Sequence, residues 1–153
     1  MERATLDRIT ACMASVKSFN DILGNLDKPL NSGLEYSMMK EEVLEYAEAS
    51  VIQEEHLRER GQKDALADQF VIWFGTVLKH RWEDKIFDFI LEVCNSNMSK
   101  FCNTQEEAEE SVLAYTKKGI PTRWEYNEKY QVYIIFNMDG KGMKGVNYIP
   151  PNL

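Results

Sequence analysis

Five carboxylates at two short spacings are the residues of this sequence with the clearest chemistry. Glu41, Glu42 and Glu45 sit in Met39-Lys40-Glu41-Glu42-Val43-Leu44-Glu45, and Asp64 and Asp68 sit in Asp64-Ala65-Leu66-Ala67-Asp68. On a helix at about 100° per residue, Glu41, Glu45 and Glu42 fall at roughly 0°, 40° and 100° and share a face. Leu34, Met38 and Ile52 fall at about 20°, 60° and 20° on the same scale. The phase therefore predicts that the acids interrupt an apolar, core-facing stripe. Asp64 and Asp68 repeat the pattern, with Val71, Gly75 and Leu78 continuing their stripe. Ionised carboxylates taken out of water need partners or a metal. Two facing helices would gather these acids around one or more divalent cations. Glu48 lies on the same stripe as a further candidate, whereas Glu54, Glu55 and Glu59 read as solvated.

The composition narrows which metal this is. With only two histidines, His56 and His80, there is no HExxH or Cys/His ligand set. Oxygen ligands point to Mg2+, with Mn2+ as a substitute, rather than zinc. Cys12, Cys94 and Cys102 are odd in number and far apart, which argues against a disulfide framework and suits a reducing cytoplasm. Cys94 reads as a core residue. No nucleophile has a visible triad partner.

The net charge of -7 argues against a protein that coats a nucleic-acid polymer, but not against a small phosphorylated substrate. No window of the chain is apolar enough for a membrane span. The N-terminus, Met1-Glu2-Arg3-Ala4-Thr5, lacks the pattern of a signal peptide.

The elements that must position the acids follow from periodicity. Leu6, Ile9, Met13, Val16 and Phe19 predict a helix from Ala4 to about Leu23, and residues 24–33 a loop. A long helix is expected from about Leu34 to Arg60, stopped by Gly61. A third, from about Gln62 to His80, is apolar on nearly every side and predicts a central, buried helix that also meets a second subunit. A fourth, from about Trp82 to Asn97, carries Phe87, Ile90, Leu91, Cys94 and Met98 as its core stripe. Thr104 and Glu107 form a capping box for a short helix ending at Gly119. Tyr130–Phe136 reads as a strand and Asp139-Gly140 as a turn, predicting a small hairpin or extended arm. One domain over 1–153 is the default, with a helical core at about 4–100 and the extra helix and arm at about 104–153.

Glu41-Glu42-x-x-Glu45 followed by an acidic helical motif resembles the all-α nucleoside triphosphate pyrophosphohydrolases. These include the MazG proteins, the dimeric dUTPases and the phosphoribosyl-ATP pyrophosphohydrolases. The family's second motif is E-x-x-D; Asp68 matches its final Asp, while Ala65 stands three before it and Asp64 four before. Ser96-Asn97-Met98-Ser99-Lys100, Asp139-Gly140-Lys141 and Lys144-Gly145-Val146-Asn147-Tyr148-Ile149-Pro150-Pro151 look like a MazG-like branch of bacteria and their phages. The resemblance covers about residues 34–100 and the tail.

The resemblance implies an all-α fold with a four-helix core, a homodimer or homotetramer, and a magnesium-dependent hydrolase. The reaction it implies splits a (deoxy)nucleoside triphosphate between the α- and β-phosphates, giving monophosphate and pyrophosphate. Glu41, Glu42, Glu45, Asp64 and Asp68 would hold metal, and Glu41 or Glu42 would be the base. Asn97, Lys100, Lys144 and Tyr148 would bind substrate. Trp73 and Phe74 are candidates for stacking a base but fit core positions better. Asn20, beside the first loop, reads as a capping or solvated residue, His56 as exposed and His80 as a helix-end residue. The alternatives are phosphoribosyl-ATP hydrolysis, or a non-enzymatic helical interaction module whose acids are solvated.

Overall fold

The computed structural model describes residues 2–153; Met1, which opens the N-terminal segment read above, lies outside them. Five helices precede and flank one small sheet: α1 Arg3–Ile22, α2 Ser32–Ser50, α3 Glu55–Lys79, α4 Ile86–Met98 and α5 Gln105–Thr116, then β1 Thr122–Asn127 and β2 Val132–Asn137. The chain packs as two compact units that divide after Asp84. Among the described residues, no helix is long and apolar enough to cross a membrane.

The first unit is α1, α2 and α3. Asn31 caps α2, its side chain accepting the Leu34 amide at 3.1 Å. The helix expected to run to Arg60 stops ten residues earlier. Arg58 reaches back over the connection and donates to the Ile52 carbonyl at 2.9 Å, satisfying a group the broken helix leaves free. Gly61 is therefore inside α3 and is not a stop signal. A Cβ on Gly61 would lie 2.9 Å from that of Ala49, so the glycine is there for close helix packing. At the other end, Arg81 donates to the Leu26 carbonyl at 2.8 Å and ties the α1–α2 loop to the end of α3. Glu35 of α2 and Lys79 of α3 form a buried ion pair at 3.4 Å.

The third helix is not buried all round, contrary to its composition. Phe74, Val77 and Leu78 are buried, but Leu66 and Phe70 are exposed. Asn20 is buried rather than solvated; its amide donates to the Val16 carbonyl at 3.0 Å and its oxygen accepts from Asn25 at 3.3 Å. His56 is exposed, and His80 caps the end of α3, as read from the sequence.

The second unit contains α4, α5 and the hairpin. Thr104 caps α5 by accepting the Glu107 amide, and Glu107 accepts from the Asn103 amide, so the capping box forms with its return bond one residue early. The β1–β2 register pairs Trp124 with Ile135 and Tyr126 with Tyr133. The core is Cys102, Ala108 and Ile135, with Val112, Tyr115 and Trp124 packed against it. The hairpin's own turn spans 128–131, ahead of Asp139-Gly140; the Asp-Gly turn instead returns the chain to a single bridge between Phe136 and Gly142. On α4 the expected core stripe is exposed: Phe87, Ile90, Leu91, Cys94 and Met98 all face outward, while Ile86 and Ser96 are buried.

Candidate functional site

Three contacts fix how α2 and α3 face each other. Gln62 donates to the Ser50 hydroxyl at 3.0 Å, Gly61 abuts Ala49, and Gln69 donates to the Glu42 carbonyl at 3.3 Å. As numbers fall along α2 they rise along α3, so the helices are antiparallel. This register sets Glu42 and Glu45 beside the stretch of α3 that carries Asp64 and Asp68.

The charges of the other four acids reach Glu42. Burial of Glu42, then the charges of Glu45, Asp68, Glu41 and Asp64, push its carboxyl above the usual carboxylate value. Glu42 is half-buried, and its Oε2 is enclosed without a hydrogen-bond partner. Such an atom is costly unless something positive reaches it.

The depth of the acids differs from the periodicity argument. Glu41, Glu45, Asp64 and Asp68 are exposed, not on core-facing stripes. The true inner face of α2 is marked by Glu35, Glu42 and Ala49, which lie at about 120°, 100° and 80° on the scale above. Leu34 and Ile52, which set the expected stripe near 20°, are themselves exposed. In the first half of α3, Gly61, Ala65 and Gln69 face α2, at about 60°, 100° and 140° from Asp64. Asp64 and Asp68 flank that seam, as Glu41 and Glu45 flank theirs. The acids thus line the rim of a helix–helix groove, with Glu42 alone reaching into it.

This donor set fits a divalent cation. It is all oxygen, it is anionic, and it contains one enclosed oxygen with no partner. Among the described residues, no three His, Cys, Asp or Glu side chains stand together as a group that could hold a metal ion. Magnesium does not need a closed ligand cage, because it keeps several waters and takes only one or two carboxylates together with substrate phosphates. Elsewhere along the same helix pair, Met39, Val43, Gln69, Phe70 and Trp73 line a cavity of about 370 Å³. Trp73 is therefore at a cavity wall, whereas Phe74 is core.

The substrate-binding candidates of the second unit also come together. Lys100 donates to the Asn97 side chain just beyond α4. Lys144 stands 4.0 Å over the Tyr148 ring. The Ser96 hydroxyl, 3.2 Å from that of Tyr148, together with the charges of Lys144 and Lys100, draws the Tyr148 phenol below the usual tyrosine value. The tail is pinned rather than loose: Gly145 donates to the Lys100 carbonyl at 2.9 Å, and Ile149 to the Ser99 hydroxyl at 2.8 Å.

Sequence reasoning missed Gln69, whose role appears only once the register is known. It also missed Glu35 and Lys79, which no local pattern links. Ser111, Tyr115 and Lys118 were unmarked too, since α5 reads as a polar helix. Comparison of the chain with protein-family models, curated proteins and solved structures finds no match.

Proposed function

We propose that this protein is a magnesium-dependent nucleoside triphosphate pyrophosphohydrolase of the MazG-like type. The observation that carries the reading is Glu42: half-buried, with one oxygen unpartnered, among four other carboxylates. A divalent cation, when bound, would neutralise these acids, polarise the phosphates and make a hydroxide-like nucleophile accessible near neutral pH. Glu45, Asp64 and Asp68 are the residues to hold it. Glu42, or Glu41 beside it, would orient the attacking water and take its proton. The apolar cavity at Phe70 and Trp73 has the character of a nucleobase pocket. Within the second unit, Asn97, Lys100, Lys144 and Tyr148 are proposed contacts for a phosphorylated ligand.

The exposed stripe on α4, with Leu66 and Phe70 on α3, supports a homo-oligomer, because soluble monomers seldom leave such apolar faces bare. A second reading, a helical interaction module, is favoured by the exposure of Glu41, Glu45, Asp64 and Asp68.

One assay separates the two. Purified protein with Mg2+ should release pyrophosphate from at least one nucleoside triphosphate in a screen of canonical and modified nucleotides. Glu45→Ala and Asp68→Ala should abolish this while the circular dichroism melt stays cooperative. Orthophosphate as the only product, or full activity in both variants, would contradict the hydrolase reading.

A further inference from the structure

Within the second unit, Ser111, Tyr115, Lys118, Lys144, Gly145 and Tyr148 line a cavity of about 300 Å³ between α5 and the tail. The tail is fixed along this wall. The Lys144 amide donates to the Tyr115 hydroxyl at 3.2 Å and the Val146 amide to Ser111 Oγ at 2.9 Å. Between them, Gly145 passes so close that a Cβ would lie 2.6 Å from Cys102 Sγ and 2.9 Å from the Lys100 carbonyl oxygen. No other residue fits there without displacing backbone. The wall is therefore preorganised, which lowers the ordering cost of binding.

Two cations face this cavity. Lys144 Nζ stands 4.0 Å over the Tyr148 ring and Lys118 Nζ 5.7 Å from the centre of the Tyr115 ring. Among the described residues, neither lysine has a carboxylate within ion-pair distance. The Tyr115 hydroxyl accepts from the Lys144 amide, which leaves its own proton free to donate. Two ammonium groups and a hydroxyl donor suit a doubly charged, three-oxygen anion better than a singly charged carboxylate. The volume is at the small end for ligand pockets.

We propose that this cavity is a binding site for a small phosphorylated anion, no larger than a nucleoside monophosphate, held by Lys118 and Lys144 with Tyr115 as a hydroxyl donor. The site stands on the second unit alone and does not require the acidic groove to be catalytic.

The test is calorimetric titration of the full-length protein with inorganic pyrophosphate and with adenosine monophosphate, in EDTA. Chelation removes any cation through which the acids of the first unit would hold phosphate. Saturable binding of at least one probe, one per chain, is expected. Lys118→Met and Lys144→Met should each weaken it at least tenfold, Lys118→Arg should keep most of it, and Glu42→Gln should leave it unchanged while removing hydrolysis. Both lysines are exposed, so the variants should melt like the parent. No saturable binding of either probe in EDTA would overturn the proposal, as would binding that survives both methionine variants. Malonate bound as tightly as pyrophosphate would overturn the ligand class.

Discussion

Gly61 of α3 lies against Ala49 of α2 with no room between them: a Cβ on the glycine would sit 2.9 Å from the alanine's. This contact sets the separation of the two helices that carry the acids, a few residues along from Glu45 and Asp64. Gly61→Val should push the helices apart. Overpacking of this kind costs about 1–3 kcal/mol. For a chain of this size each kcal/mol is about 2–4 °C in melting temperature. Differential scanning calorimetry should show that loss, and the variant should also need more Mg2+ for the same activity. An unchanged melting temperature would mean that the helices do not pack this closely.

Glu42 governs how stability responds to pH. Its folded-state value is raised, so the native state holds this proton more tightly than the unfolded chain does. In metal-free protein the ionised carboxylate is therefore unfavourable near neutral pH. Stability from this group should increase as the pH falls from neutral toward the ordinary glutamate value of 4.5. Glu59 and Glu106 are shifted the other way, so their contributions are lost only at lower pH, below that value. Urea titrations in EDTA between about pH 7 and 5 should show the rise, within the range where most proteins are most stable. Glu42→Gln should flatten it and raise the neutral-pH melting temperature.

Glu35 and Lys79 join the start of α2 to the end of α3, at 3.4 Å, with side chains 6% and 14% exposed. The two are close enough to pair but not aligned as a hydrogen bond, and Glu35 Oε1 has no other partner. Lys79→Met should strand a buried carboxylate and cost about 3–5 kcal/mol. The double variant Glu35→Leu with Lys79→Met should regain most of this, since apolar replacement of both members is often neutral. A double-mutant cycle by urea denaturation measures it; additive losses would mean that the pair is not coupled.

The apolar stripe of α4 predicts self-association. Light scattering at micromolar concentration should give at least twice the 17.8 kDa of one chain. Phe87→Lys and Leu91→Lys, both at exposed positions, should each shift the mass toward one chain without unfolding it. A monodisperse monomer for the parent would contradict the assignment of this face.

The sequence told much about the elements and less about their faces. Helix existence, the Thr104 cap and strand β2 were legible because each rests on local chemistry. The α2–α3 break was not, because no Gly or Pro marks Val51–Glu54 and the one glycine nearby serves tertiary packing. The five acids were legible as a set from their spacing, and α2 and α3 carry them along one shared seam without joining three into a group that could hold a metal ion. Their depth was not: Leu34 and Ile52 are exposed, and the inner face lies roughly 80° round from them, at Glu42. Apolar residues mark a core only where another element covers them, and Leu34 and Ile52 of α2 and Phe87 and Leu91 of α4 are exposed. Lys118 stayed hidden because its meaning depends on a tail 26 residues away, at Lys144.

The central claim is that the groove around Glu42 holds a divalent cation, and its most direct measurement is the melting temperature of metal-free protein across a Mg2+ or Mn2+ titration. At a hundredfold excess over the dissociation constant, binding to the folded state alone adds about 2.7 kcal/mol. That corresponds to a rise of about 5–10 °C in a chain of this size. A saturating rise of that order is expected in the parent, and none in Asp68→Ala. A flat titration in the parent, or the same rise in Asp68→Ala, would contradict the claim.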